Sequence, residues 1–300
     1  MKVLITGATG LIGQEIVGLC HQSNIDVNYL TTSKEKLTSE KNYKGFFWNP
    51  SSGEIDINCF EDVEVIINLV GATVAKRWTK KYKQEIIDSR VDTASLVLES
   101  LKKIKHSVRH IVSASAIGVY PDSFQNYYKE NTDEVASGFL GEVVTKWEAA
   151  VREFETLNIE VGLLRIGLVL SEKGGAFPKI SKPIEKGVGA AFGNGKQWQS
   201  WIHLEDLARM FMYAVEEELS GVYNAVAPNP ISNDRLTHVI ADQMGKKIIL
   251  PNVPRFMMKL ILGEMHVILF SSQRVCNDKI AEAGYKFKYE NITQAVGDLV

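Results

Sequence analysis

Cysteine is scarce in this chain: Cys20, Cys59 and Cys276 are the only three in 300 residues. The odd count, the wide spacing and the absence of Cys-x-x-Cys exclude a disulfide framework and leave no zinc-ligand pattern. No metal site is expected. Neither sign of charge is in excess, with 34 lysines and arginines against 36 aspartates and glutamates, a net charge of −2. Such a balance gives no bulk attraction to nucleic acid or to an anionic membrane. Long apolar runs are missing too. The most apolar late stretch, 256–270, is broken by Lys259, Glu264 and His266, far short of the ~20 residues of a membrane span. The opening Met1-Lys2-Val3-Leu4-Ile5 reaches Thr6-Gly7 at once, too soon for the apolar core of a signal peptide. No fixed-period repeat or low-complexity tract occurs. What remains is an average globular composition, 45% hydrophobic and 23% charged, sized for one large or two modest domains. The expectation is a soluble, cytoplasmic protein with no nucleic-acid or membrane partner. No oligomeric state follows from it.

Over the first two-thirds, short apolar runs alternate with helical patterns. Strands are predicted at Val3–Thr6, Val27–Thr31, Phe46–Trp48, Val65–Leu69, His110–Ser115, Val161–Ile166 and Val222–Ala225. Between them, Leu11–Cys20 forms a helix. So does a segment with Ile87, Val91, Ala94, Leu98 and Leu101 at steps of four and three, and another with Val143, Trp147, Val151, Phe154 and Leu157. Continuous apolar strands separated by helices predict an α/β fold, a Rossmann-type doubly wound parallel sheet covered on both faces. Glycines and prolines crowd 174–195, as expected of an irregular segment. From Pro228 onward turns and short helices follow, at Ser232–Met244 and Pro254–Gly263. The expected division is a parallel-sheet domain over 1–228, with 171–197 as a site-lining insertion, and a smaller, mostly helical lobe over 229–300.

Gly7-Ala8-Thr9-Gly10-Leu11-Ile12-Gly13 lies directly between the first strand and the first helix. One glycine permits the tight turn, one clears the path of a pyrophosphate, and one lets helix and strand pack closely. The helix N-terminus then offers free N–H groups and a partial positive charge to the anion. An acid at the end of the second strand would grip the adenosine ribose and favour NAD. Here that end reads Thr31-Thr32-Ser33-Lys34. Thr32, Ser33 and Lys34 therefore favour NADP, with NAD as the second cofactor, although a solvated Lys-Glu-Lys loop fits Lys34 equally well.

The glycine turn, together with Asn68-Leu69-Val70-Gly71-Ala72, Ser89-Arg90, Ser113-Ala114-Ser115-Ala116-Ile117-Gly118-Val119-Tyr120 and Ser200-Trp201-Ile202-His203-Leu204-Glu205-Asp206, resembles the extended short-chain dehydrogenases/reductases. Tyr223 to Pro230, Leu262-Gly263-Glu264-Met265 and Ser272-Gln273-Arg274-Val275 narrow the resemblance to an atypical subgroup, the epimerase-family proteins, with a small C-terminal domain of unassigned role. The resemblance spans essentially the whole chain. It implies NAD(P) binding through Gly7, Thr9, Gly10, Leu11, Ile12, Gly13, Leu69, Gly71, Ala72, Arg90 and Ser113, besides the second-strand residues. It also implies an epimerase or oxidoreductase that transfers hydride to or from a small polar, nucleotide-sugar-like substrate.

The superfamily pairs a Tyr with a Lys four residues later on one helix face; the cation lowers the phenol's pKa and the phenol moves a proton. None of the ten tyrosines here has Lys at that spacing, and Leu140 and Val144 fall at the two positions. The upstream serine remains as Ser115, and Arg90 stands where ordinary members have Asn. Proton-transfer candidates are thus Ser115, Tyr120 and, in a shifted register, Glu142 with Lys146, which also has the spacing of a plain surface ion pair. Loss of the Tyr and Lys equally supports a catalytically silent NADP(H)-binding sensor or scaffold. Arg165, at a strand end, suits an internal carboxylate or a substrate anion. His203 and Asp206 lie one turn apart but form no recognisable triad with a serine, and Asp206 suits the first turn of a helix. Lys76, Arg77, Lys80, Lys81 and Lys83, with Trp78 and Tyr82, read as a solvated helix start that can also face a phosphorylated substrate.

Overall fold

The computed structural model describes residues 1–300. Seven strands run parallel: β1 Lys2–Thr6, β2 Asp26–Thr31, β3 Tyr43–Asn49, β4 Val65–Asn68, β5 His110–Ala116, β6 Glu160–Ile166 and β7 Gly221–Ala225. Their order across the sheet is β3-β2-β1-β4-β5-β6-β7. Two-residue strands at Ser39–Glu40 and Glu54–Ile55 add antiparallel to β3. All seven strands read from the sequence are present. They were legible because both faces are covered: Val65, Ile66 and Ile67 of β4 are each fully buried, and burying such a side chain stabilises by ~1.5–3 kcal/mol.

The main helices are α1 Leu11–Gln22, α2 Lys80–Leu101, α3 Phe139–Arg152, α4 Phe177–Glu185, α5 Leu204–Glu216, α6 Asn233–Gln243 and α7 Arg255–Leu262. Strand order steps away from β1 in both directions, so right-handed crossovers send α1 and α2 to opposite faces. Accordingly α1 packs with α5, and α2 with α3. The crevice opens where the order reverses, at the carboxyl ends of β1 and β4.

The segment 171–197 is less irregular than expected, since it contains α4. Phe177 and Ile184 of α4 join Leu170 and Trp201 with Leu236, Ile240 and Val296 in a second core of 14 buried residues. That core draws on both sides of residue 228. The C-terminal segment is also anchored by Asp206, fully buried in the first turn of α5, which accepts hydrogen bonds from the N–H groups of Lys288 and Tyr289, both at 2.8 Å. His203 caps the same helix, its Nδ1 accepting from the Glu205 N–H at 3.2 Å. No helix is long and apolar enough to cross a membrane.

Candidate active site

Two clefts open beside the carboxyl edge of the sheet. The first, of about 1140 Å³, is floored by Gly7, Thr9 and Val70 and walled by Thr31, Thr32, Ser33 and Lys36 on one side and by α2 on the other. The glycine turn shapes its floor, and its three glycines differ in what the fold demands. Gly7 has φ +76°, a left-handed conformation that disfavours any side chain. A Cβ on Gly13 would sit 2.7 Å from Ala8 Cα and inside the shell of the Gly7 carbonyl oxygen, so strand and helix could not approach. Gly10 is not so constrained. A Cβ there meets one atom, the Gly7 carbonyl oxygen at 3.2 Å. Gly10 is also the N-cap of α1, in extended backbone with no side-chain cap, so the first-turn N–H groups remain open to an acceptor. Beneath, Thr6 Oγ1 donates to Asn68 Oδ1 at 2.7 Å, and Asn68 Nδ2 donates to Ser113 Oγ at 2.9 Å. The Leu69 N–H bonds back to Thr6 Oγ1 at 3.1 Å, which fixes the loop after β4.

The second cleft, of about 580 Å³, lies between the start of α3 and the C-terminal lobe. Leu140, Phe139, Trp78 and Gly118 form one wall, and Arg255, Lys259, His266 and Gln273 the other. His266 is buried, its Nδ1–H donating to the Gly263 carbonyl at 2.8 Å, and its Nε2 faces Arg255 Nε at 3.4 Å.

A model of the NAD dependent epimerase/dehydratase family matches residues 3–225. The chain belongs to that family. A domain of unknown function matches residues 253–299. An epimerase family protein of Staphylococcus aureus is 34% identical over 100% of this chain and 99% of its own. One from Staphylococcus saprophyticus is 35% identical over 99% and 98%. Among solved structures, the human epimerase family protein SDR39U1 with NADPH superposes with a TM-score of 0.86 at 24% identity, covering 100% of this chain and 99% of that one. The UDP-N-acetylglucosamine 4-epimerase of Bacillus cereus follows at 0.78 and 19%, covering 100% and 98%. At these identities the two structures speak for the fold.

Within this epimerase-family frame, the sequence-read cofactor residues fall in different places. Gly7, Thr9, Thr32 and Ser33 line the first cleft; Gly10, Leu11, Ile12 and Gly13 complete the turn beside it. Lys34 does not line it. Its ammonium lies 4.9 Å above the Phe47 ring, and Lys36, which the sequence did not single out, lines the cleft instead. Ser113 is fully buried beneath the loop. Leu69, Gly71 and Ala72 form that loop. Arg90 braces it from behind, donating to the carbonyl of Ala72 at 3.2 Å and stacking 4.9 Å from the Trp147 ring. A Cβ on Gly71 would stand 2.8 Å from the Arg90 guanidinium carbon, so a side chain there would displace the end of Arg90. Burial pushes Arg90 down to about 10.

The proton-transfer candidates are held in protein contacts. Ser115 is buried, lines neither cleft, and donates to Glu148 Oε1 at 2.5 Å. Glu148 takes both Nε and Nη2 of Arg165 at 2.9 Å each, so Arg165 meets an internal carboxylate. Burial alone would push the Arg165 guanidinium down, but the hydrogen bonds and charge of Glu148 outweigh it and the net shift is upward. Tyr120 borders the second cleft, yet its hydroxyl donates to Asn224 Oδ1 at 2.7 Å and accepts from Arg165 at 3.0 Å. Burial raises its pKa, against the opposing effect of Arg165. Glu142 is exposed on the outer face of α3, paired with Lys146 at 2.7 Å. This is the surface pair, outside both clefts. Leu140 lines the second cleft, and Val144 is buried with Val119, Tyr120 and Val226. Lys80 and Lys81 of the basic cluster line the first cleft beside Glu85, Asp88 and Asp92. Arg255, Lys259 and His266 carried no motif. Their only signal was the i,i+4 spacing that puts Arg255 and Lys259 on one helix face.

Proposed function

We propose that the protein binds NADP(H) in the first cleft and transfers hydride to or from a small molecule in the second, as an atypical epimerase or oxidoreductase of its family. The observation that carries the reading is Gly10. Packing constrains that position far less than Gly13, whereas a pyrophosphate approaching the open helix N-terminus would need a glycine there. The human relative solved with NADPH supports the same cofactor; a Bacillus cereus relative solved with UDP-glucuronic acid and NAD supports NAD as the second.

The nicotinamide, when bound, supplies the hydride. The chain's own residues hold the diphosphate on the first-turn N–H groups of α1 and the 2′-phosphate with Ser33 and Lys36. With Leu140 and Val144 in place of Tyr and Lys, the substrate proton would be exchanged with solvent in the second cleft. Ser115 and Tyr120 serve behind the wall as positioning residues. A cytoplasmic location accords with three unpaired, buried cysteines.

A second reading, a silent NADP(H) holder acting as sensor or scaffold, is favoured by one observation: Ser115, Tyr120 and Glu142 each commit their polar atoms to protein partners. Fluorescence titration with NADPH, followed by turnover assays over alcohols, carbonyl compounds and nucleotide sugars, separates the two. Binding with turnover supports the enzyme. Tight binding with no turnover supports the holder, and no binding removes both.

A further inference from the structure

The second cleft is chemically lopsided. One wall is built of Trp78, Phe139, Leu140 and Val267, with no acid or base among them. At the opposite edge stand two cations without a counter-charge. Neither Arg255 nor Lys259 takes part in any of the ion pairs of the structure. The acids that share the cleft are engaged elsewhere. Glu264 is paired with Lys83, and Asp122 accepts the Ser272 N–H at 2.8 Å. Two of the neutral polar side chains are engaged as well: Gln273 donates to the Tyr120 carbonyl at 2.6 Å and Ser271 to the Val267 carbonyl at 2.9 Å.

We propose that the second cleft takes an amphipathic anion, an apolar body laid on the Leu140 wall with one carboxylate or phosphate held between Arg255 and Lys259. This rests on the reading of that cleft as the substrate site, and it narrows the substrate class. The polyhydroxylated ring of a sugar would face Leu140 and Phe139 with hydroxyls unpaired, which is costly out of water. An apolar body there loses nothing and gains burial. Arg255 is arranged to receive an anion. Its Nε rests on His266 Nε2, and its guanidinium lies 5.5 Å from the Phe270 ring. His266 is itself oriented by the Gly263 carbonyl. This bracing leaves both terminal nitrogens of Arg255 free for the bidentate grip that carboxylate and phosphate share. Lys259, one turn further along α7, adds a point charge on the same edge. A volume of about 580 Å³ is in the range of small-molecule sites.

The test is calorimetric titration of the full-length protein with octanoate, octyl phosphate, octyl β-glucoside and UDP-glucose, for the native chain and for Arg255→Gln and Lys259→Gln. Both substituted side chains are exposed, so the variants are expected to fold, and their NADPH affinity is read in parallel. Octanoate or octyl phosphate should bind, and the tighter of the two assigns the headgroup. Each variant should weaken that binding roughly tenfold or more, as loss of a charge-assisted hydrogen bond implies, with NADPH affinity unchanged. Octyl β-glucoside should bind far more weakly than either anion. Anion binding that is absent, or indifferent to both substitutions, overturns the proposal, as does octyl β-glucoside or UDP-glucose binding as tightly as the anions. Failure of NADPH to bind the native chain sinks the cofactor reading instead and leaves the anion result standing.

Discussion

Gly10→Ala and Gly13→Ala should fail in opposite ways. At Gly13 the added carbon runs into backbone atoms of Gly7 and Ala8, which cannot rotate aside as a side chain could. Overpacking of this kind costs ~1–3 kcal/mol, and a backbone clash belongs at or above the top of that range. For a chain of this size ~3 kcal/mol corresponds to a fall in Tm of roughly 5 °C. At Gly10 the single contact of 3.2 Å asks for a shift of a few tenths of an ångström, and exchanging Gly for Ala at an N-cap costs below about 1 kcal/mol. Its Tm should therefore stay within ~2 °C of the parent. NADPH affinity should behave the other way round. A methyl group on Gly10 lifts the diphosphate from the helix N-terminus and weakens two charge-assisted hydrogen bonds, together worth ~3 kcal/mol or more, which is a loss of roughly 100-fold. Thermal melts and fluorescence titrations of the two variants are sufficient. The reasoning is refuted if Gly10→Ala binds NADPH within a few-fold of the parent, or if Gly13→Ala melts at the parental temperature.

Lys36→Glu should reverse the preference for NADPH over NADH, whereas Lys34→Glu, whose parent side chain lies on Phe47, should change it little; paired titrations in which Lys34 matters more would place the phosphate site wrongly. Glu148→Gln leaves Arg165 buried without its carboxylate and should cost roughly 3 kcal/mol in denaturant unfolding; an unchanged midpoint would mean the pair contributes nothing. Burial lowers the pKa of both His110 and His203. Because the folded values lie below the unfolded value of about 6.5, their contribution is complete above that pH and is lost as pH falls beneath it. The unfolding midpoint should therefore drop between pH 7.5 and 5.5, and His110→Gln should flatten the drop; a midpoint constant across that range contradicts it.

The framework was legible because its signals are local. A strand buried on both faces is an apolar run, and a glycine turn between strand and helix spans seven residues. What escaped reading depended on direction or distance. Lys34 and Lys36 belong to one short 3₁₀ turn, Lys34–Lys36, and which of them faces the cleft is decided by how that turn points, not by composition. Ser115 looks like a free strand-end hydroxyl until Glu148, 33 residues later, closes on it. The second cleft joins Leu140 to Arg255 and His266 across more than a hundred residues, and no spacing rule links them.

The strand order carries a consequence for biosynthesis. As the chain leaves the ribosome, β2 can add to β1 and β3 to β2; then β4 adds to the other side of β1, and β5, β6 and β7 follow outward one by one. Each strand finds its parallel neighbour already made, so the growing sheet never has to open to admit a late arrival. At every stage, however, one fresh edge lies bare, and such edges are where nascent chains aggregate. The final turns come last of all, when Lys288 and Tyr289 satisfy the buried carboxylate of Asp206. A ribosome that stops short of them releases a chain whose sheet is complete but whose Asp206 lacks those two backbone donors. Truncated products should therefore be recognised by the quality-control proteases, with the sheet assembled and the latch open.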